Sequence, residues 1–232
     1  MRRTLLVLGA VSVAGCGSNE SATRARSPTP PQPVFQDLTP LTSGRTYTTH
    51  LFQPTLRFTV QPGAWQAEDG DTRNEFSVSD PHPKLPVLQA ILAAHRIVAV
   101  YDPRRGGDAP GDQVPFRGSF AAWLERHPRL RVTSPVPVAL LGLKGVRLDV
   151  RARSTPPKVP RNCAKIGARL CAPIFSDAPD PVLATEDSIS RFIVLALPHG
   201  GELVLEEYVE PLRAFRRGLA RLRPLLASLT RR

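Results

Sequence analysis

Cysteine, lysine and long apolar runs are all scarce in this sequence, and each scarcity removes a class of explanation. No stretch reaches the about 20 apolar residues of a membrane-spanning helix. With three cysteines in all, a zinc site at Cys163 and Cys171 would need further ligands nearby, and the sequence around them supplies none. His50, His82, His95, His127 and His199 are scattered, with neither His-x-His nor His-Glu-x-x-His spacing, so no metal site is expected. A Gly-x-Ser-x-Gly elbow for a nucleophilic serine is missing. Gly106-Gly107 lacks the spacing and the strand-to-helix setting of a phosphate loop, and no cofactor is expected.

What the chain has in excess is arginine and proline. Lysine supplies only four of its 31 basic residues, there are 25 prolines, and the formal charge is +11. Such a balance favours anionic partners through ordinary electrostatics.

The amino terminus reads MRRTLLVLGAVSVAGCGSN. Arg2 and Arg3 precede the uncharged run Leu5 to Ala14, and small residues stand directly before Cys16. This is the order of an export signal. The tetrad Val13-Ala14-Gly15-Cys16 resembles the bacterial lipobox, which implies cleavage before Cys16 and a diacylglycerol thioether on its sulfur. An ordinary signal peptide with an incidental cysteine, or a short uncleaved anchor, fits the same residues less fully. Removing residues 1–15 takes Arg2 and Arg3 with it and leaves a formal charge of +9. From Gly17 to Pro33 the chain has no aliphatic residue larger than alanine, so a tether is expected over 16–33. Residues 34–232 are long enough for one globular domain. The expected location is the extracytoplasmic face of the cell membrane, where nucleic acid is not an expected partner. Outside the cytoplasm Cys163 and Cys171 are expected to pair as a structural disulfide.

Alternation in TYTTHLF (46–52), TLRFTVQ (55–61) and NEFSVSD (74–80) predicts strands, with Leu56, Phe58 and Val60 on one face and Trp65 as an anchor. EDGD (68–71) reads as a turn. HRIVAVYD (95–102) reads as a strand, and LPVLQAILAA before it as a short helix. Ser119 should cap a helix over SFAAWLERHP with Phe120, Trp123 and Leu124 inward. Residues 130–142 and 144–153 predict a hairpin, as do SRFIVLALP and ELVLEEYVE around His199-Gly200-Gly201. The last helix carries the stripe Leu212, Phe215, Leu219, Leu222, Leu226 and Leu229, and Pro224 should kink or divide it. Strands joined by hairpins, with one middle and one terminal helix, make an α+β domain on a mainly antiparallel sheet.

The motifs Tyr47-Thr48, Phe52, Pro54, Leu56, Phe58, Val60 and Trp65, then Trp123-Leu124, His127-Pro128, Leu130 and Val132, follow a recognisable order. Pro137-Val138, Gly142, Gly145, Leu148-Asp149-Val150 and Cys171-Ala172-Pro173-Ile174-Phe175 continue it. In these the chain resembles a group of actinobacterial-type secreted lipoproteins, distantly similar to the PsbP subunit of photosystem II and to LpqN-like lipoproteins. The resemblance implies an α/β/α sandwich and supplies no catalytic residues.

These residues do not single out a substrate. The expected role is non-catalytic: a lipid-anchored module that binds a lipid, a wall polymer or an envelope protein. The alternative is an extracytoplasmic hydrolase with His127 or His199 in its site. His127 ends a helix and His199 stands in a hairpin turn, where each also has a structural use. EDGDTRNE suggests calcium through Asp69, Asp71, Asn74 and Glu75, but Arg73 takes a ligand position. A third reading gives Arg213, Arg216, Arg217 and Arg221 of the last helix to an anionic polymer.

Overall fold

The computed structural model describes the backbone of Gln32–Pro33 and residues 39–80, 89–105, 107–156, 159–176 and 181–232. All of these belong to one compact unit, Pro31–Arg232. The expected leader at 1–15, the lipidated Cys16 and the tether lie outside the described residues, apart from Gln32–Pro33. His82 and the first part of LPVLQAILAA lie outside them too.

In chain order the elements begin with β1 (Gln32–Pro33), β2 (Thr46–Thr48), β3 (Leu56–Thr59), β4 (Gln66–Asp71), β5 (Glu75–Ser79), β6 (Gln89–His95), β7 (Ala99–Tyr101) and β8 (Gln113–Pro115). Helix α1 (Phe120–Arg126) follows, then β9 (Leu130–Val132), β10 (Val136–Leu140) and β11 (Leu143–Ala152). Helix α2 (Arg161–Ile166), β12 (Cys171–Phe175), β13 (Val182–Thr185), β14 (Ile189–Ala196) and β15 (Glu202–Glu210) lead to helix α3 (Phe215–Ser228) and β16 (Thr230–Arg231).

The main sheet has eight strands in the order β10-β11-β14-β15-β6-β5-β4, with β9 beside β10 on the same edge of β11. Its neighbours are all antiparallel. Side chains alternate across a strand, so each face gathers its own core. On one face Leu203, Leu205 and Val209 of β15 pack with Leu222 and Leu225 of α3 and with Leu56 and Phe58 of β3. On the other, Leu148, Phe192 and Val204 pack with Phe120 and Leu124 of α1 and with Ile174 and Phe175 of β12. The fold is α+β on a mainly antiparallel sheet, with α1 and α3 on opposite faces.

Local chemistry sets the helices. Ser119 Oγ accepts the N–H of Ala122, and Glu202 at the start of β15 accepts that of Phe120 at 2.8 Å, so α1 begins against the sheet. The α2 N-cap is Pro160, which has no side-chain donor or acceptor; the Asp108 carboxylate instead accepts the N–H groups of Arg161 and Asn162 at 2.9 and 2.6 Å. Cys163 and Cys171 form a buried disulfide that ties α2 to β12, with Cα atoms 5.8 Å apart. Of the expected stripe, Leu222 in α3 and Leu229 directly after it are buried, joined by Gly218 and Leu225, while Phe215, Leu219 and Leu226 pack at the margin of that core.

The structure corrects four local expectations. The described part of LPVLQAILAA is the strand β6, not a helix, because β5 and β15 offer it ladders on both sides and Ala90, Leu92 and Ala94 share one buried face. Pairing on two edges outweighs the helix preference of alanine. EDGD belongs to β4, and the turn falls at Thr72 to Asn74, where Thr72 Oγ1 binds the N–H of Glu75. HRIVAVYD is split between the end of β6 and β7, which pairs with β8 in a sheet of its own. Helix α3 runs through Pro224 undivided, with that proline on its exposed side.

The expected hairpin of β10 and β11 turns through Leu141 and Gly142, both with positive φ (57° and 71°). Gly145 then lies against β14 so closely that an added Cβ would stand 2.0 Å from the carbonyl oxygen of Val194. Gly145→Ala is therefore expected to push the two strands apart and to lower the unfolding free energy by about 1–3 kcal/mol in urea titrations. Wild-type stability in that variant would contradict the packing described.

Candidate functional site

The strand period places an unusual set of side chains on the α1 face of the main sheet. From β15, Glu206, Tyr208 and Glu210 point the same way as Val204. Their neighbours on β6 are Ala93, Ile91 and Gln89, while His95 stands opposite Val204 on one side and Glu75 of β5 on the other. At this end of the sheet the face is polar where a core would be apolar.

These groups are deeply buried: relative exposure is 1% for His95, 4% for Glu206 and 6% for Glu75. Contacts among them offset part of the cost of that burial. His95 Nε2 lies 3.2 Å from Glu206 Oε2, and Nδ1 lies 3.9 Å from Glu75 Oε1. Ser190 Oγ donates to the other oxygen of Glu206 at 2.5 Å. The imidazole packs edge-on against Phe175 of β12, with ring centroids 4.8 Å apart. Tyr208 donates to Glu210 at 2.7 Å, and burial, followed by that carboxylate, holds its phenol far above the usual range.

Above this floor lies a cavity of about 450 Å³. Ile91 and Ala93 of the sheet line it together with Ile166 at the end of α2 and Val182 and Leu183 of β13. The disulfide has a direct part here, since it fixes the helix that carries Ile166. Ile166 is 56% exposed, so apolar surface stands open at the rim.

Neither histidine of the hydrolase alternative lines this cavity. His199 is exposed in the turn between β14 and β15, where Gly200 and Gly201 have positive φ. His127 caps the end of α1 and is buried; its Nδ1 accepts the N–H of Arg129 at 3.3 Å, and its ring packs on Trp123. Burial first, then the charge of Arg129, push its pKa down to about 4, so the ring is neutral at pH 7 and does not act on the helix dipole as a cation. Neither is hydrogen-bonded to a serine or a carboxylate among the described residues. In the one described cluster of serine, carboxylate and imidazole, Ser190 donates to Glu206 and so is not aimed at an imidazole.

The acidic run behaves differently from a calcium loop. Asp71 accepts the N–H groups of Leu51 and Phe52 at 3.1 and 2.9 Å, and that of His50 as well, while Glu75 turns toward His95. Among the described residues no three His, Cys, Asp or Glu side chains are grouped to hold a metal ion. No described helix is long and apolar enough to cross a membrane.

A second concavity, of about 780 Å³, opens at the edge formed by β9 and β11. Arg131 and Arg151, directly opposed across the two strands, line it with Arg153, Glu125 and Glu186. It is a charged surface groove without a buried polar cluster.

No family model matches the chain, and no curated protein matches it. Among solved structures it is similar to the cyanobacterial PsbP protein CyanoP of Synechocystis sp. PCC 6803, at 8% identity and a TM-score of 0.41, over 83% of this chain and 95% of that one. It is also similar to LpqN, described as involved in cell envelope biogenesis of Mycobacterium tuberculosis, at 12% identity and a TM-score of 0.36, over 84% of this chain and 90% of that one. Both likenesses are faint, and neither gives any residue a role.

The neutral His127 makes stability depend on pH. Its folded pKa lies below the ordinary value, so its contribution is complete above about pH 6.5 and is lost as pH falls through 4. Between pH 7 and pH 4.5 wild type should lose about 2–3 kcal/mol more than His127→Asn in urea titrations. Parallel pH profiles for the two proteins would contradict that assignment.

Proposed function

We propose that this protein is a non-catalytic, lipid-anchored module on the extracytoplasmic face of the cell membrane, and that it binds a small amphiphile in the cavity above β5, β6 and β15. The cavity carries the reading. It joins an open apolar wall (Ile91, Ile166, Val182, Leu183) to a buried polar floor (Glu75, His95, Glu206), as a site for a molecule with an apolar body and a hydrogen-bonding head requires. The anchor is read from the sequence around Cys16, and the tether would hold the domain off the bilayer.

A second reading assigns the basic surface to an anionic wall polymer. It is favoured by Arg213 just before α3 and by Arg216, Arg217 and Arg223 along it, all exposed. Arg221 does not belong to that free row, because it pairs with the buried Asp80.

The test is expression in a related bacterium of wild type, Cys16→Ala and Ala93→Leu. Wild type should carry a diacylglycerol-sized mass on Cys16 and stay with the membrane, while Cys16→Ala is released or left uncleaved. A small molecule should remain with wild type in native mass spectra and be depleted at least fivefold in Ala93→Leu, whose longer side chain fills the cavity. Lipid-free wild type in the medium would overturn the anchor. Equal ligand occupancy in the two proteins would overturn the cavity.

A further inference from the structure

The described lining of the cavity is acidic, in contrast to the basic chain around it. The chain has a formal charge of +11, yet among the described residues no arginine or lysine lines this cavity. Its ionisable groups are instead Glu75, Glu206, Glu210, Asp187, His95 and Tyr208. Two of the carboxylates are almost wholly removed from water and face one imidazole. A carboxylate or phosphate head would find no basic partner among the described lining residues. A positively charged head fits between Glu206 on the floor and Glu210 at the margin, which share a face about 13 Å of strand apart with Tyr208 midway.

The cation is not a bare metal ion, since the described carboxylates do not converge as a ligand set. Apolar side chains make up the remaining wall, and an inorganic ion would leave them wet. We infer that the cavity selects a positively charged amphiphile: an ammonium or substituted ammonium group on an apolar stem, with the head between Glu206 and Glu210 and the stem along Ile91, Val182 and Leu183. This inference rests on the binding role proposed above and adds the sign and chemistry of the ligand's head. The Tyr208 ring, held beside Glu210 by its hydrogen bond, offers the cation an aromatic neighbour in the same cavity.

The test uses the full chain with Cys16→Ala, which leaves every cavity residue in place, and three probes of one stem length: hexyltrimethylammonium, 1-hexanol and hexanoate. Calorimetric titration should give the ammonium probe at least tenfold tighter binding than hexanol, with hexanoate weakest. Glu206→Gln keeps the shape and the bond from Ser190, and should weaken the ammonium probe at least fivefold while leaving hexanol unchanged. Glu210→Gln, at the margin and only half-buried, should do the same and guards against a folding defect in the first variant. Equal binding of the three heads, or tightest binding of hexanoate, would overturn the cation preference while the cavity stands as a binding site. Binding by none of the probes would overturn both.

Discussion

β15 is held on both edges, by β14 and by β6, and its alternate residues face opposite demands. Leu203, Leu205 and Val209 must fill the layer under α3, while Val204, Glu206, Tyr208 and Glu210 run from the apolar core of the other face into the cavity. A slip of one residue would send the acids under the helix and the leucines into the cavity, which is why register is so strongly specified here. The α3 side shows how a charge is tolerated when the alternation places one there. Glu207 is buried on that face, burial holds its carboxyl above the ordinary range, and Arg191 partly offsets the effect. Arg191 is in turn fixed by two hydrogen bonds to Asp149, at 2.6 and 3.0 Å, and lies over Phe215 of α3.

The cavity is a second consequence of the same pattern. A sheet face lined at one end by glutamates and histidine cannot be sealed by an apolar helix, because the carboxylates would lose their partners. Helix α1 covers the apolar end, while among the described residues Phe175 of β12 covers His95 and α2 and β13 line the cavity at the polar end. The disulfide is well placed for this. It gives a six-residue helix, too short to persist alone, a fixed seat beside β12.

Much of the fold was legible in the sequence because the signals were local. Alternation gave β3, β5, β11 and β14, paired glycines marked the turn before β15, and Ser119 marked the start of α1. The terminal stripe of leucines located the core face of α3. β6 was missed because alanine and leucine carry little strand preference and the two ladders that decide the matter come from residues far along the chain. The site was missed for a related reason. Glu75, His95 and Glu206 meet only through register, His95 and Glu206 being 111 positions apart. One signal was available: Glu206, Tyr208 and Glu210 at steps of two, in a strand whose other face is apolar, mark a polar face that must find partners.

If the polar end of this sheet face is a binding site, the residues around it respond to a ligand together. Backbone amide shifts, recorded while hexyltrimethylammonium is titrated into the full chain carrying Cys16→Ala, report that response residue by residue. Saturable shifts are expected, confined to β5, β6, β13, the end of α2 and the Glu206 to Glu210 half of β15. Shifts spread over the surface without saturation, or centred on the arginine groove at β9 and β11, would contradict a binding site there.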